Sequence, residues 1–260
     1  MDRLFTSAVA LAASLLVPAV GAQTTITKPT VVLVHGAFAD SSSWNGVTGI
    51  LERHGYTVIA APNPLRGVAS DAGVISDVVK SIAGPVVLVG HSYGGSVISE
   101  AAEGRGNVKA LVYVSAFAPD TGETALDLTG KFPGSTLGAA LAPPVQLTSG
   151  GKDLYIQQAR FHDQFAADVP PAAARLMAAG QRPVAEAALS EPATAPAWKH
   201  LPTWFIFGDK DKNIPPAAMK FMAERAHARD TVVIKGGSHV VLVSNAPAVA
   251  KLIEQAATAS

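Results

Sequence analysis

The stretch Val86-Val-Leu-Val89-Gly90-His91-Ser92-Tyr93-Gly94-Gly95, continued by Ser96-Val-Ile-Ser-Glu-Ala-Ala102, decides the fold. Four consecutive aliphatic residues read as a strand covered on both faces, as in a parallel sheet. The segment from Ser96 onward is helix-compatible, so the residues between occupy a sharp strand-to-helix turn. Such a turn holds Ser92 in strained φ/ψ and brings neighbouring backbones together, and the positions two before and two after must lack bulk. Gly90 and Gly94 meet that demand. The stretch is therefore a G-x-S-x-G turn in strand-turn-helix context, with the Ser92 hydroxyl pushed out at the sheet edge. The Tyr93 N–H, at the helix start, points toward any negative charge that develops there.

Outward from this turn the same alternation continues in both directions. Val31-Val34, Thr57-Ala61, Ala110-Val114, Trp204-Phe207 and Thr231-Ile234 read as further strands. Trp44-His54, Gly73-Ile82, Ser96-Glu103, Ala217-Ala228 and Ala246-Ala256 read as helices between and after them. This predicts an α/β fold with a mostly parallel, doubly wound sheet, whose strand carboxyl ends share the edge where ligands bind. The alternation stops after Ser115 and resumes at Leu201. The intervening stretch of about 85 residues is too long for a plain loop. It predicts a helical cap inserted at about 117–200 in a single domain spanning 23–260. Its aromatic residues Phe132, Tyr155, Phe161, Phe165 and Trp198, together with Phe38, are the candidate substrate-binding walls.

An alkyl hydroxyl needs a base within hydrogen-bond reach. Of the seven histidines, His239 in Gly236-Gly237-Ser238-His239 is the best placed, in a Gly-rich loop after the last strand. His91 sits inside the turn and is directed away from Ser92, and His35 ends the first strand, where it ties loops together. A carboxylate then has to hold the imidazole tautomer and stabilise its protonated form. Gly208-Asp209-Lys210-Asp211 places two aspartates past the penultimate strand; Asp211 is favoured, with Asp209 and Asp120 as alternatives. A second donor for an oxyanion comes from the small-residue turn His35-Gly36-Ala37-Phe38, where the Ala37 N–H partners that of Tyr93.

Composition narrows the chemistry. Hydrophobic residues make up 48% and charged residues 15%, which excludes a disordered chain. Twenty basic residues balance twenty acidic ones, so no broad positive field exists to gather nucleic acid, and none is expected as a partner. The absence of cysteine removes disulfides, thiolate metal sites and thiol nucleophiles. No metal-ligand spacing occurs, and neither metal nor cofactor is expected. Residues 1–22 read as a signal peptide: Arg3, an apolar run from Ala8 to Val17, then Val20-Gly21-Ala22 before the cleavage point. That run is shorter than the roughly 20 residues that cross a bilayer, so the expected mature protein is periplasmic or secreted, without stable membrane insertion. The sequence carries no signal for oligomeric state.

Val31-Phe38, Gly90-Gly95, Gly208-Pro215 and Gly236-His239, in that order, resemble the α/β-hydrolase family, over essentially the whole of Thr30 to Ala256. His35-Gly36-Ala37-Phe38 followed by Trp44 is similar to the branch that contains plant methyl esterases and hydroxynitrile lyases. The resemblance implies a Ser92-His239-Asp211 triad acting on a small-molecule ester, lactone or amide through an acyl-enzyme. Lyases of the branch carry Thr after the first-strand His and Lys after the catalytic His; here Gly36 and Val240 stand there, which favours ester chemistry over lyase chemistry. Dehalogenases and epoxide hydrolases of this fold carry Asp where Ser92 stands. Cofactor-free oxygenases or perhydrolases on the same triad, and a non-catalytic ligand-binding module, are the competing readings.

Overall fold

The computed structural model describes residues 28–259, and the leader expected at 1–22 lies outside them. The chain lays down β1 (Thr30–Val34), α1 (Asn45–Arg53), β2 (Val58–Ala61), α2 (Val68–Lys80), β3 (Val86–His91), α3 (Tyr93–Ala101) and β4 (Val108–Val114). An insertion follows with α4 (Ala125–Lys131), α5 (Leu137–Ala140), β5 (Val145–Gln146), β6 (Lys152–Leu154), α6 (Gln158–Phe165), α7 (Pro171–Gly180), β7 (Val184–Ala185) and α8 (Glu186–Leu189). The sheet then resumes with β8 (Thr203–Gly208), α9 (Pro216–Arg225), β9 (Asp230–Ile234), α10 (Val241–Ser244) and α11 (Ala246–Thr258).

Six strands pair in the order β2-β1-β3-β4-β8-β9, every pair parallel. The order reverses direction at β1, so crossovers of one hand place helices on both faces. α1 packs with α11, which lies over β3, β4 and β8, while α2 packs with α3, which lies over β1 and β3. Every residue of the central β3 is buried, as its unbroken apolar run requires. The edge strand β9 instead alternates half-buried with exposed residues, and Val233 faces solvent.

Two features differ from the expectation. α2 starts at Val68 rather than Gly73, because the Glu191 carboxylate from the insertion accepts the Val68 and Ala69 N–H groups at 2.7 and 3.0 Å. These are donors that a helix start leaves unpaired. The insertion carries not only helices but also a small antiparallel sheet in the order β5-β6-β7, whose strands of two or three residues are too short to show alternation. No helix among the described residues is long and apolar enough to cross a membrane.

Candidate active site

β3 runs into Ser92 at φ 54°, ψ −124°, a left-handed conformation rare for a residue with a side chain. The turn is locked by its own backbone: the Ser92 carbonyl accepts the N–H groups of Gly95 at 2.9 Å and Phe117 at 3.1 Å. A Cβ at Gly90 would stand 2.6 Å from the Gly94 carbonyl oxygen, so the glycine is obligatory there. The loop after β1 presses on the same turn. A Cβ on Gly36 would lie 2.5 Å from Ser92 Cβ and 3.2 Å from Ser92 Oγ. Ala37 and Tyr93 flank Ser92 in one cavity wall, and neither backbone N–H donates to a protein group among the described residues.

The loops after β8 and β9 bring a carboxylate to an imidazole. His239 Nδ1 donates to Asp211 Oδ2 at 2.7 Å, while Asp211 Oδ1 accepts the N–H groups of Asn213 at 2.8 Å and Ile214 at 3.0 Å. Both residues are buried. The carboxylate thus fixes the Nδ1–H tautomer and leaves Nε2 with its lone pair. Nε2 is buried with no hydrogen-bond partner, Ser92 Oγ included, and His239 and Ser92 line the same cavity. The alternatives for the carboxylate are engaged elsewhere. Asp209 accepts the Gly236 N–H at 2.7 Å, and Asp120 pairs with Lys199, which holds its carboxyl below the usual range.

Two further histidines brace the site from behind. His91 Nε2 donates to the His239 carbonyl at 3.2 Å, and burial drives the His91 pKa well down, so the ring is neutral. His35 Nδ1 donates to the Gly36 carbonyl at 3.0 Å and Nε2 accepts the Asn63 N–H at 3.0 Å, and burial lowers this pKa too. Sequence reading missed Asp71. Its buried carboxylate accepts the Tyr93 hydroxyl at 2.9 Å and the Arg66 N–H at 3.1 Å, and desolvation raises its pKa. The Arg66 guanidinium in turn reaches Asp153 at 2.6 Å and the Pro183 carbonyl at 3.1 Å, tying the insertion to the sheet.

Over Ser92 the insertion encloses a cavity of about 670 Å³. Phe38 lines it. Phe132, Tyr155, Phe161, Phe165 and Trp198, expected in the same wall, do not. Phe132 packs on Phe221, Phe161 on Phe165, and Phe165 stands behind the site with its ring 5.1 Å from that of His239. Trp198 donates to the Pro119 carbonyl under the Arg225 guanidinium, and the half-buried Tyr155 gives its carbonyl to Ala142 N–H. Large rings bury the most area, and these are spent on packing within the insertion and against the sheet domain rather than on the cavity wall. The wall is instead mostly aliphatic, built by Leu126, Leu141, Pro143, Pro144 and Leu189 with Phe117, and Gln157 and Glu186 also line it. Among the described residues no group of three His, Asp or Glu side chains is placed to hold a metal ion.

Residues 31–252 match the model of the alpha/beta hydrolase family. The chain is similar to alpha/beta hydrolase nvfD of Aspergillus novofumigatus (strain IBT 16806), at 26% identity over 251 residues that cover 88% of this chain and 97% of that protein. It is also similar to an alpha-hydroxynitrile lyase of Arabidopsis thaliana, at 24% identity over 235 residues, covering 82% and 91%. Among solved structures, polyneuridine aldehyde esterase superposes with a TM-score of 0.76 at 20% identity, covering 88% of this chain and 99% of that one. A single family model thus runs from β1 into α11, taking in the turn at Ser92 and the loops of Asp211 and His239, and the chain belongs to the alpha/beta hydrolase family.

Proposed function

We propose that this protein is an exported serine hydrolase that cleaves a small, mostly apolar carboxylic ester, lactone or amide through an acyl-enzyme. Ser92 Oγ attacks the carbonyl carbon as its proton passes to His239 Nε2. The carbonyl oxygen takes the negative charge and is held by the N–H groups of Ala37 and Tyr93. Collapse breaks the bond to the leaving oxygen or nitrogen, which takes the proton from His239. Water then adds to the acyl carbon, giving its proton to His239 Nε2, which returns it to Ser92 Oγ as the acid departs. Asp211 stays ionised and steadies the imidazolium.

The observation that carries this reading is the Asp211–His239 bond of 2.7 Å, which leaves Nε2 unpartnered on a residue that lines the same cavity as Ser92 and the two free N–H groups. Catalytic hydrogen bonds tighten in the substrate complex, so the Oγ–Nε2 bond belongs to the reacting state. The aliphatic wall supports an uncharged substrate. The test is a burst of para-nitrophenol from an activated ester, with covalent capture by a fluorophosphonate. Both are expected in the wild type and lost in Ser92→Ala. Turnover that survives Ser92→Ala, or a label on another residue, overturns the proposal. Export is checked by the amino terminus of the secreted protein, expected at Gln23.

A further inference from the structure

A second cavity, of about 290 Å³, lies between the turn Ser41–Trp44 and α7, and the residue it shares with the catalytic cavity is Phe38 alone. Phe38 is buried and holds φ at 61°, a left-handed backbone that a bulky side chain adopts only under constraint. The constraint is visible on two sides. Its N–H donates to the Arg182 carbonyl of the insertion at 3.0 Å, and its ring stands edge-on to Phe165, with centroids 6.2 Å apart. Strain of this kind persists where the surroundings over-determine it, and it marks sites where a side chain has to face one way.

The second chamber suits hydrocarbon. Gly46, Ala173, Met177 and Val243 contribute to its wall, and at its rim Asp40 accepts both the N–H and the hydroxyl of Ser42. We propose that Phe38 is a partition across one elongated substrate site. Its ring ends the catalytic cavity and thereby restricts the enzyme to short acyl or alkoxy chains, while the space behind it is the outer half of the same site. This rests on the hydrolase reading above and adds to it the residue that sets chain length.

The experiment compares kcat/KM for para-nitrophenyl esters from butanoyl to dodecanoyl in the wild type, Phe38→Leu, Phe38→Ala, and Phe38→Ala combined with Ala173→Trp, which refills the second chamber from its exposed side. The long-to-short ratio is expected to rise about tenfold or more in Phe38→Ala, less in Phe38→Leu, and to fall back when Ala173→Trp is added. The ratio is internal to each preparation, so loss of folded protein cancels. A ratio unchanged in both single variants overturns the partition. Calorimetric titration with alkyl methyl ketones of rising length, which bind without being hydrolysed, reads the same partition without turnover. Tighter binding of the long ketones to Phe38→Ala supports it, and equal binding across the variants overturns it. A wild type that neither hydrolyses an ester nor takes the fluorophosphonate label overturns the hydrolase reading, while the ketone titration still decides the partition.

Discussion

At the scale of single residues, two aspartates two positions apart in one loop have different work. Asp211 gives one oxygen to His239 and the other to two backbone N–H groups, so its carboxylate is held from three directions. Asp209 accepts a single N–H from Gly236 and is partly open to solvent. Replacing Asp211 by Asn puts an amide where the imidazole has to donate, which favours the wrong tautomer and removes the charge that steadies the protonated ring. Turnover is expected to fall by about 10⁴-fold in Asp211→Asn. Asp209→Asn retains an oxygen that can accept the Gly236 N–H, and its turnover is expected to change by no more than about twofold. Steady-state kinetics on the two purified variants decide the assignment, and the reverse order of effects would move the triad carboxylate to Asp209.

At the scale of elements, the insertion is fastened to the sheet through the start of α2. Glu191 serves as a cap supplied from far along the chain, and its negative charge sits where the helix dipole is positive. Glu191→Ala is expected to lower stability by about 1 kcal/mol, and Glu191→Gln by less, because the amide oxygen still accepts. Urea unfolding checks this as a shift in midpoint at constant slope. The same contact explains which parts of the fold are legible in the sequence. β1, β3, β4 and β8 each carry an apolar run of four or more residues, and the loops that carry Ser92, Asp211 and His239 are punctuated by glycines at fixed places. The start of α2 depends on a residue in another element, so no local pattern marks it. Asp71 reads as an ordinary first-turn acid until the Tyr93 hydroxyl is seen on it. The cavity wall hides for a different reason. Leu141, Pro143 and Pro144 lie in short irregular segments, while the conspicuous ring of Phe161 packs on Phe165, and that of Phe165 is spent against Phe38, His91 and His239.

At the scale of the whole molecule, the buried titratable groups set how stability follows pH. His35 and His91 are neutral in the fold because burial lowers both pKa values, and the charged or titrating groups that act on them are Arg182 and Asp40 for His35 and the His239 and His35 rings for His91. In the unfolded chain both protonate near the free imidazole value of about 6.5. Below that value the unfolded state binds more protons than the folded one, so stability is present above about pH 6.5 and is lost as pH falls through it, by up to about 1.4 kcal/mol per pH unit for each ring. Asp71 acts the other way. Its raised pKa makes the ionised form a cost to the fold, and that cost is relieved as the pH drops through its folded value. Asp120 and Glu123, held low by Lys199 and Arg225, add stability that is lost only below about pH 4. Between neutrality and about pH 5 the two histidines therefore lower stability on acidification, and Asp71 opposes them. His91→Gln retains an amide N–H for the His239 carbonyl and cannot take up a proton, so it isolates one ring. Unfolding free energies from denaturant titrations across this range are expected to fall on acidification in the wild type, and in His91→Gln their slope against pH is expected to correspond to about one proton fewer taken up on unfolding. Parallel curves for the two proteins would mean that His91 is protonated to the same extent in both states, and its burial would then have to be reconsidered.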